Sequence, residues 1–124
     1  MKSIAYGVCA ISLAAFLVGC GPSPEQIRTT AISEYQVGHH DRAMELFQRV
    51  LDSNPTDPLS WYYKGRIYHA QKKYANAIHC YQQAIDSDPG FTTARHYLKI
   101  AKEDFGDLSD SLDIIPPPRE HNLP

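Results

Sequence analysis

The chain has 124 residues, room for one modest domain and no more. Twelve Lys and Arg against fourteen Asp and Glu leave a formal charge of −2, so composition gives no ground for nucleic acid or another polyanion as partner. Nine prolines and seven glycines are too few to make the whole chain disordered, which leaves a globular unit with something attached.

The attachment comes first in the chain. Met1-Lys2 supplies one positive charge, and Ile4 to Val18 then runs without a charged residue, the form of an export signal. The run is shorter than the ~20 apolar residues that a spanning helix needs. It ends in Leu17-Val18-Gly19-Cys20, which resembles the lipobox of bacterial lipoprotein precursors: an aliphatic residue, two small ones, then Cys. An ordinary signal peptide or an uncleaved anchor that happens to end in Cys is the alternative. The resemblance implies that residues 1–19 are removed, that Cys20 carries the lipid, and that residues 20–23 form a short tether. Several acyl chains hold a protein firmly where one does so only marginally. Gly21 rather than Asp after the Cys implies an outer-membrane lipoprotein facing the periplasm. Cys9 then leaves with the signal and Cys80 remains as a lone thiol. It reads as a small, half-buried helix residue, or else as one half of an intermolecular bridge.

Four helices follow, expected at about 24–37, 41–53, 58–71 and 75–87. Ser23-Pro24-Glu25-Gln26 forms a capping box with Pro at the first helical position, and Asp57-Pro58 repeats the cap-then-Pro order. Gly38 is placed to end the first helix with a left-handed residue, while Pro55 and Pro89 forbid continuation of the second and fourth. The segments repeat. Asn54-Pro55 and Asp88-Pro89 lie 34 residues apart, as do Ala31 and Gly65, Ala43 and Ala77, Phe47 and Tyr81, and Leu51 and Ile85. Small residues (Ala31, Gly65, Ala43, Ala77) fall where paired helices must approach closely, and bulky ones (Trp61, Tyr68, Phe47, Tyr81) fill the adjoining space.

The second unit reads Trp61-x-x-Lys64-Gly65-x-x-Tyr68, then Ala77-x-x-x-Tyr81-x-x-Ala84, then Pro89, and resembles the tetratricopeptide motif. The first unit is weaker: Ile27, Ala31, Gly38, Ala43, Phe47, Val50 and Pro55 fit, but Glu34 stands where the motif has Tyr, and Lys64 replaces Leu in the second. The resemblance implies an all-α solenoid spanning 24–105, with repeats at 24–57 and 58–91. A capping helix at 92–104, with Ala94, Tyr97, Leu98 and Ala101 on one face, covers the last apolar surface. From residue 106 to 124 the chain is acidic with scattered aliphatics and Pro116-Pro117-Pro118. It reads as a disordered tail, or as a short linear motif for a partner or for the domain's own groove.

Catalysis is not expected, since no nucleophile–base set or phosphate-binding glycine loop occurs. Nor are metals or cofactors. His39-His40 are sequence neighbours, and His79-Cys80 point about 100° apart on a helix, so neither pair has ligand spacing. The tetratricopeptide resemblance implies instead a groove lined by the first helix of each repeat. Its positions carry over to Arg28, Ile32 and Tyr35, then Leu59, Tyr62, Arg66 and His69, then Thr93, His96 and Ile100. Aromatic and Arg residues are the usual anchors of interfaces; the plainer reading is a solvated inner face. The carboxylate clamp of chaperone-binding relatives is not implied, because its places hold Arg28, Ile32, Tyr63, Thr93 and Tyr97. The expectation is a membrane-tethered adaptor for a protein or peptide near the bilayer, pilotin-like or similar, with a permanent structural subunit of an envelope apparatus as alternative. Two repeats plus a cap fall short of the three that usually suffice, so self-association or a partner is expected to add stability.

Overall fold

The computed structural model describes the backbone of residues 21–112 and side chains as far as Leu108. The signal segment, Cys20 and residues 113–124 lie outside the described residues. Five helices follow in order: α1 (Pro24–Gln36), α2 (His40–Ser53), α3 (Pro58–Ala70), α4 (Tyr74–Ser87) and α5 (Thr92–Leu112). The first four lie within one residue of their expected ends at every boundary. Among the described residues no helix is long and apolar enough to cross a membrane.

The local signals act as their chemistry dictates. Ser23 accepts a hydrogen bond from the Gln26 amide while the Gln26 side chain accepts one from the Ser23 amide, so two orphan donors at the start of α1 are satisfied reciprocally. Asp57 caps α3 by accepting from the Ser60 amide at 2.9 Å. Gly38 has φ +88°, the left-handed conformation expected of it. Thirty-four residues on, Lys72 takes φ +59° at the corresponding turn, a place where side chains are strained. Three-residue turns after α1 and α3 force each helix to return alongside its predecessor.

Packing follows the repeat. Ala31, Ala43, Phe47 and Ile67 form one buried cluster, and Tyr62, Ala77, Tyr81, Ala84, Ala94, Leu98 and Ala101 form a second. Tyr63 packs against both and joins them, its ring stacked on Phe47 at 5.5 Å. Trp61 and Tyr68 lean on the second cluster, of which Ala77 and Tyr81 are members. α3 and α4 approach closely at Gly65, where an added Cβ would stand 2.6 Å from Tyr81 Cε1. Cys80 is buried on α4 and is a free thiol.

The C-terminal end differs from expectation. The capping helix does not stop at 104: α5 continues to Leu112, so residues 106–112, assigned to a disordered tail, are helical. Pro is absent until position 116, and Phe105 and Leu108 continue the Leu98–Ala101 stripe at helical spacing. Gly106 and the Ser/Asp pairs read as breakers, but none removes a backbone donor as Pro would. The overhanging turns pass the α3–α4 turn, where Lys72, Tyr74, Asp104, Asp107 and Leu108 share a shallow cleft.

Candidate functional site: an arginine among tyrosines

On α3, residues 62, 66 and 69 fall on one stripe by helical spacing, and the fold sets α1 on one side of that stripe and α5 on the other. Tyr35, Arg66, His69, Ala70, Tyr97 and Ile100 line the resulting cleft, of about 290 Å³. Arg66 is its centre. The guanidinium carbon lies 4.3 Å from the centroid of the Tyr97 ring, 5.8 Å from that of Tyr62 and 6.0 Å from that of Tyr35. One guanidinium N–H donates to the Tyr62 hydroxyl at 2.8 Å. A cation over several electron-rich ring faces is held by their quadrupoles, and the hold strengthens as water is excluded.

The electrostatics follow from that geometry. Burial works against the Arg66 charge, yet the Tyr62 hydroxyl bond and the surrounding phenols outweigh it, leaving its pKa above the ordinary value. Burial raises the Tyr62 phenol, with Arg66 opposing. Among the described residues no carboxylate lies within 4 Å of Arg66, so its remaining donors stay available for an incoming acceptor. At the far edge His69 Nε2 meets Asp104 Oδ2 at 2.7 Å, a link from α3 to the second half of α5 that fixes the cleft wall.

The ten residues expected in the groove do not all come together. Tyr35, Arg66, His69 and Ile100 line the cleft together. Tyr62 lies beneath it, only 7% exposed, and acts as a floor that orients Arg66. His96 is exposed and meets Tyr97 edge-on at 5.5 Å. Leu59 and Thr93 are exposed but take no part in the lining. Ile32 is half-buried against the Phe47 cluster. Arg28 has another engagement: its guanidinium pairs with Asp57, the buried cap of α3, and so ties the first repeat to the second.

The groove positions omit two residues of the lining, Ala70 and Tyr97, and it is Tyr97 that covers the cation. Its place on the Ala94–Ala101 face marks it as core, and it does pack there, but the same ring also covers Arg66. The available signal was its recurrence, since Tyr63 and Tyr97 are 34 residues apart on successive first helices. Among the described residues no three His, Cys, Asp or Glu side chains gather as metal ligands.

Comparison with known proteins bears on the repeat fold that carries this cleft. Residues 28–90 match the family model described as tetratricopeptide repeat. The chain is 31% identical to Superkiller protein 3 of Saccharomyces cerevisiae over 88 residues, covering 71% of this chain and 6% of that protein. It is 31% identical to the peroxisomal targeting signal receptor of Candida glabrata over 81 residues, 65% of this chain and 14% of the receptor. The chain thus spans a small fraction of the length of these curated relatives. The crystal structure of MamA protein superposes with a TM-score of 0.65 at 22% identity, covering 73% of this chain and 50% of that one, a likeness of fold. The periodic motif, the paired helices and the matched family model agree: the chain belongs to the tetratricopeptide repeat family.

Proposed function

We propose that this protein is a lipid-anchored adaptor of the bacterial envelope, holding a polypeptide against its α1–α3–α5 face while a membrane complex is assembled or positioned. Tetratricopeptide repeats mark a protein–protein interaction role, and the observation that carries the reading is Arg66, a cation caged by three tyrosines and, among the described residues, paired with no carboxylate. An extended segment bearing a carboxylate, or a helix C-terminus with free carbonyls, supplies what that cage lacks. Tyr35, Tyr97 and Ile100 offer flat apolar area around it. Peptide docking here requires no chemistry of the bound chain.

Anchoring is argued from the N-terminal sequence. With Cys20 acylated, only Gly21-Pro22-Ser23 separates lipid from α1, a reach of about 10–14 Å. The domain then lies against the bilayer and its partner is membrane-proximal, in the outer membrane facing the periplasm if Gly21 has the sorting role assigned to it. Replacing Cys20 by Ala is expected to abolish lipid labelling and release the protein to the soluble fraction; a variant that still fractionates with lipid overturns the anchor. For the cleft, a photoreactive residue at Ile100 should crosslink a releasable partner, and Arg66→Ala should weaken that complex by about 30-fold or more, the scale of an interface anchor. An unchanged crosslink yield in Arg66→Ala removes the cleft from the mechanism.

A further inference from the structure

Lys64 and Arg66 are two positions apart on α3, so they project about 200° from each other around its axis. Arg66 serves the face just described; Lys64 lies on the opposite side, where α2 and α4 flank α3. A second cleft opens there, of about 430 Å³, lined by Trp61, Lys64, Tyr68, Asn76, His79 and Cys80.

Lys64 is 7% exposed. Its ammonium donates to Gln48 Oε1 on α2 at 2.6 Å and stands 5.3 Å from the Trp61 ring centroid. Both partners are neutral. Among the described residues no carboxylate comes within 4 Å of it. Burial pushes the Cys80 thiol up to about 11, with Lys64 opposing, so at neutral pH the thiol is protonated and supplies no counter-charge. Taking an ammonium out of water is costly unless a counter-ion and hydrogen bonds offset it. An apolar side chain of similar length would fill the same space without that cost. The ammonium has three donors and Gln48 takes one. Around it the cleft adds an amide at Asn76 and an imidazole at His79, whose ring meets Trp61 edge-on at 6.0 Å. Trp61 is fixed in turn by donating its indole N–H to the Pro55 carbonyl at 2.8 Å.

The geometry points to a second docking site on this far side of α3, built to receive an acidic side chain of a protein partner. Its carboxylate completes Lys64, while Trp61 and Tyr68 take the apolar neighbours of that residue. The site is independent of what fills the Arg66 cleft. Occupied together, the two faces of α3 join two polypeptides across a single helix.

Trp61 is the only tryptophan in the chain, so its fluorescence reports on this cleft alone. The full-length chain in detergent is titrated with the capped peptide acetyl-Leu-Glu-Leu-amide and with its neutral twin acetyl-Leu-Gln-Leu-amide. The acidic peptide is expected to change Trp61 emission saturably, and the neutral one to bind about tenfold more weakly, the scale of one charge-assisted hydrogen bond. Lys64→Met should erase the difference between the peptides while melting no lower than the wild type; Lys64→Gln gives the same readout if the Met variant does not fold. Equal affinity for the two peptides overturns the proposal, as does a preference that survives loss of the ammonium. Inorganic phosphate producing the same emission change at lower concentration than the acidic peptide also overturns it, by making the site one for a free anion.

Discussion

Glycine at position 65 is demanded by a neighbour rather than by its own backbone. The Tyr81 ring occupies the space where a Cβ would stand, 2.6 and 2.7 Å from two ring carbons, and Tyr62 and Tyr97 close in around that ring at 6.1 and 6.0 Å. Alanine is the better helix former by about 1 kcal/mol, yet overpacking against a ring that cannot retreat costs about 1–3 kcal/mol. Gly65→Ala is therefore expected to lower stability by up to about 2 kcal/mol in urea unfolding. The same change made together with Tyr81→Leu should cost less than the two single changes added, because the shrunken side chain makes room. Strict additivity would show that the contact does not govern the pair. Burial also makes stability depend on alkaline pH. The folded Cys80 thiol titrates near 11 against its ordinary 9.0, so the native state binds this proton more tightly than the unfolded chain does. Its contribution is complete below pH 9 and is lost as pH rises toward 11, amounting to about 2 kcal/mol between pH 8 and 10.5. The phenols of Tyr62 and Tyr81, also raised by burial, act in the same direction at higher pH. Urea midpoints at the two pH values should fall further for the wild type than for Cys80→Ala, and equal falls would contradict the thiol's role. At this scale the sequence disclosed the small–large interlock but not the division of tyrosines. Spacing alone cannot say that Tyr62 turns inward as a floor while Tyr97, on a core face, also covers a cation.

Helix boundaries were legible wherever a residue with a hard constraint stood at them. Pro24, Pro58, Pro55 and Pro89 act by removing a donor and fixing φ, and Ser23 and Asp57 act by accepting from orphan amides; neither effect depends on tertiary context. The end of α5 had only weak punctuation, one Gly and several Ser and Asp, whose preferences of a few tenths to 1 kcal/mol yield to a continuing apolar stripe. The two turns inside the repeats make the converse point. Gly38 and Lys72 occupy corresponding left-handed positions, and only the first is a residue suited to it. A lysine there is strained by about 1–2 kcal/mol, partly offset because glycine loses more entropy on folding. Lys72→Gly is expected to raise stability by up to about 1 kcal/mol, whereas Gly38→Lys should lower it by about the same amount. Thermal melts of the two variants check this. Opposite shifts are the expected result, and a Lys72→Gly variant that melts lower than the wild type would mean that the lysine side chain earns more through its contacts than its backbone loses.

A solenoid is stabilised by neighbours, so its length and its ends decide how well it stands alone. Here two repeats supply two buried clusters, joined through Tyr63 and through the largely buried Arg28–Asp57 pair. The outer side of α5 carries exposed Arg95, Lys99, Lys102 and Glu103, with Lys99 and Glu103 3.8 Å apart, a solvated surface suited to an end. Toward its C-terminal end α5 passes the α3–α4 turn, and Phe105 is left 44% exposed on the continuing apolar stripe. A short array with an aromatic standing off its end is expected to be marginal as a monomer and to gain stability from a second surface. The Cys20→Ala variant, free of lipid, should melt below about 65 °C, the top of the ordinary mesophile range. If copies associate through the overhang, the melting temperature rises with protein concentration by mass action, and sedimentation shows the matching shift in mass. Phe105→Glu should then abolish the concentration dependence while moving the dilute-limit melt by only a few degrees, since an exposed ring contributes little to the monomer. A monomer that melts above that temperature at every concentration would show that two repeats and an extended cap already bury enough surface, and that the overhang serves a purpose other than self-association.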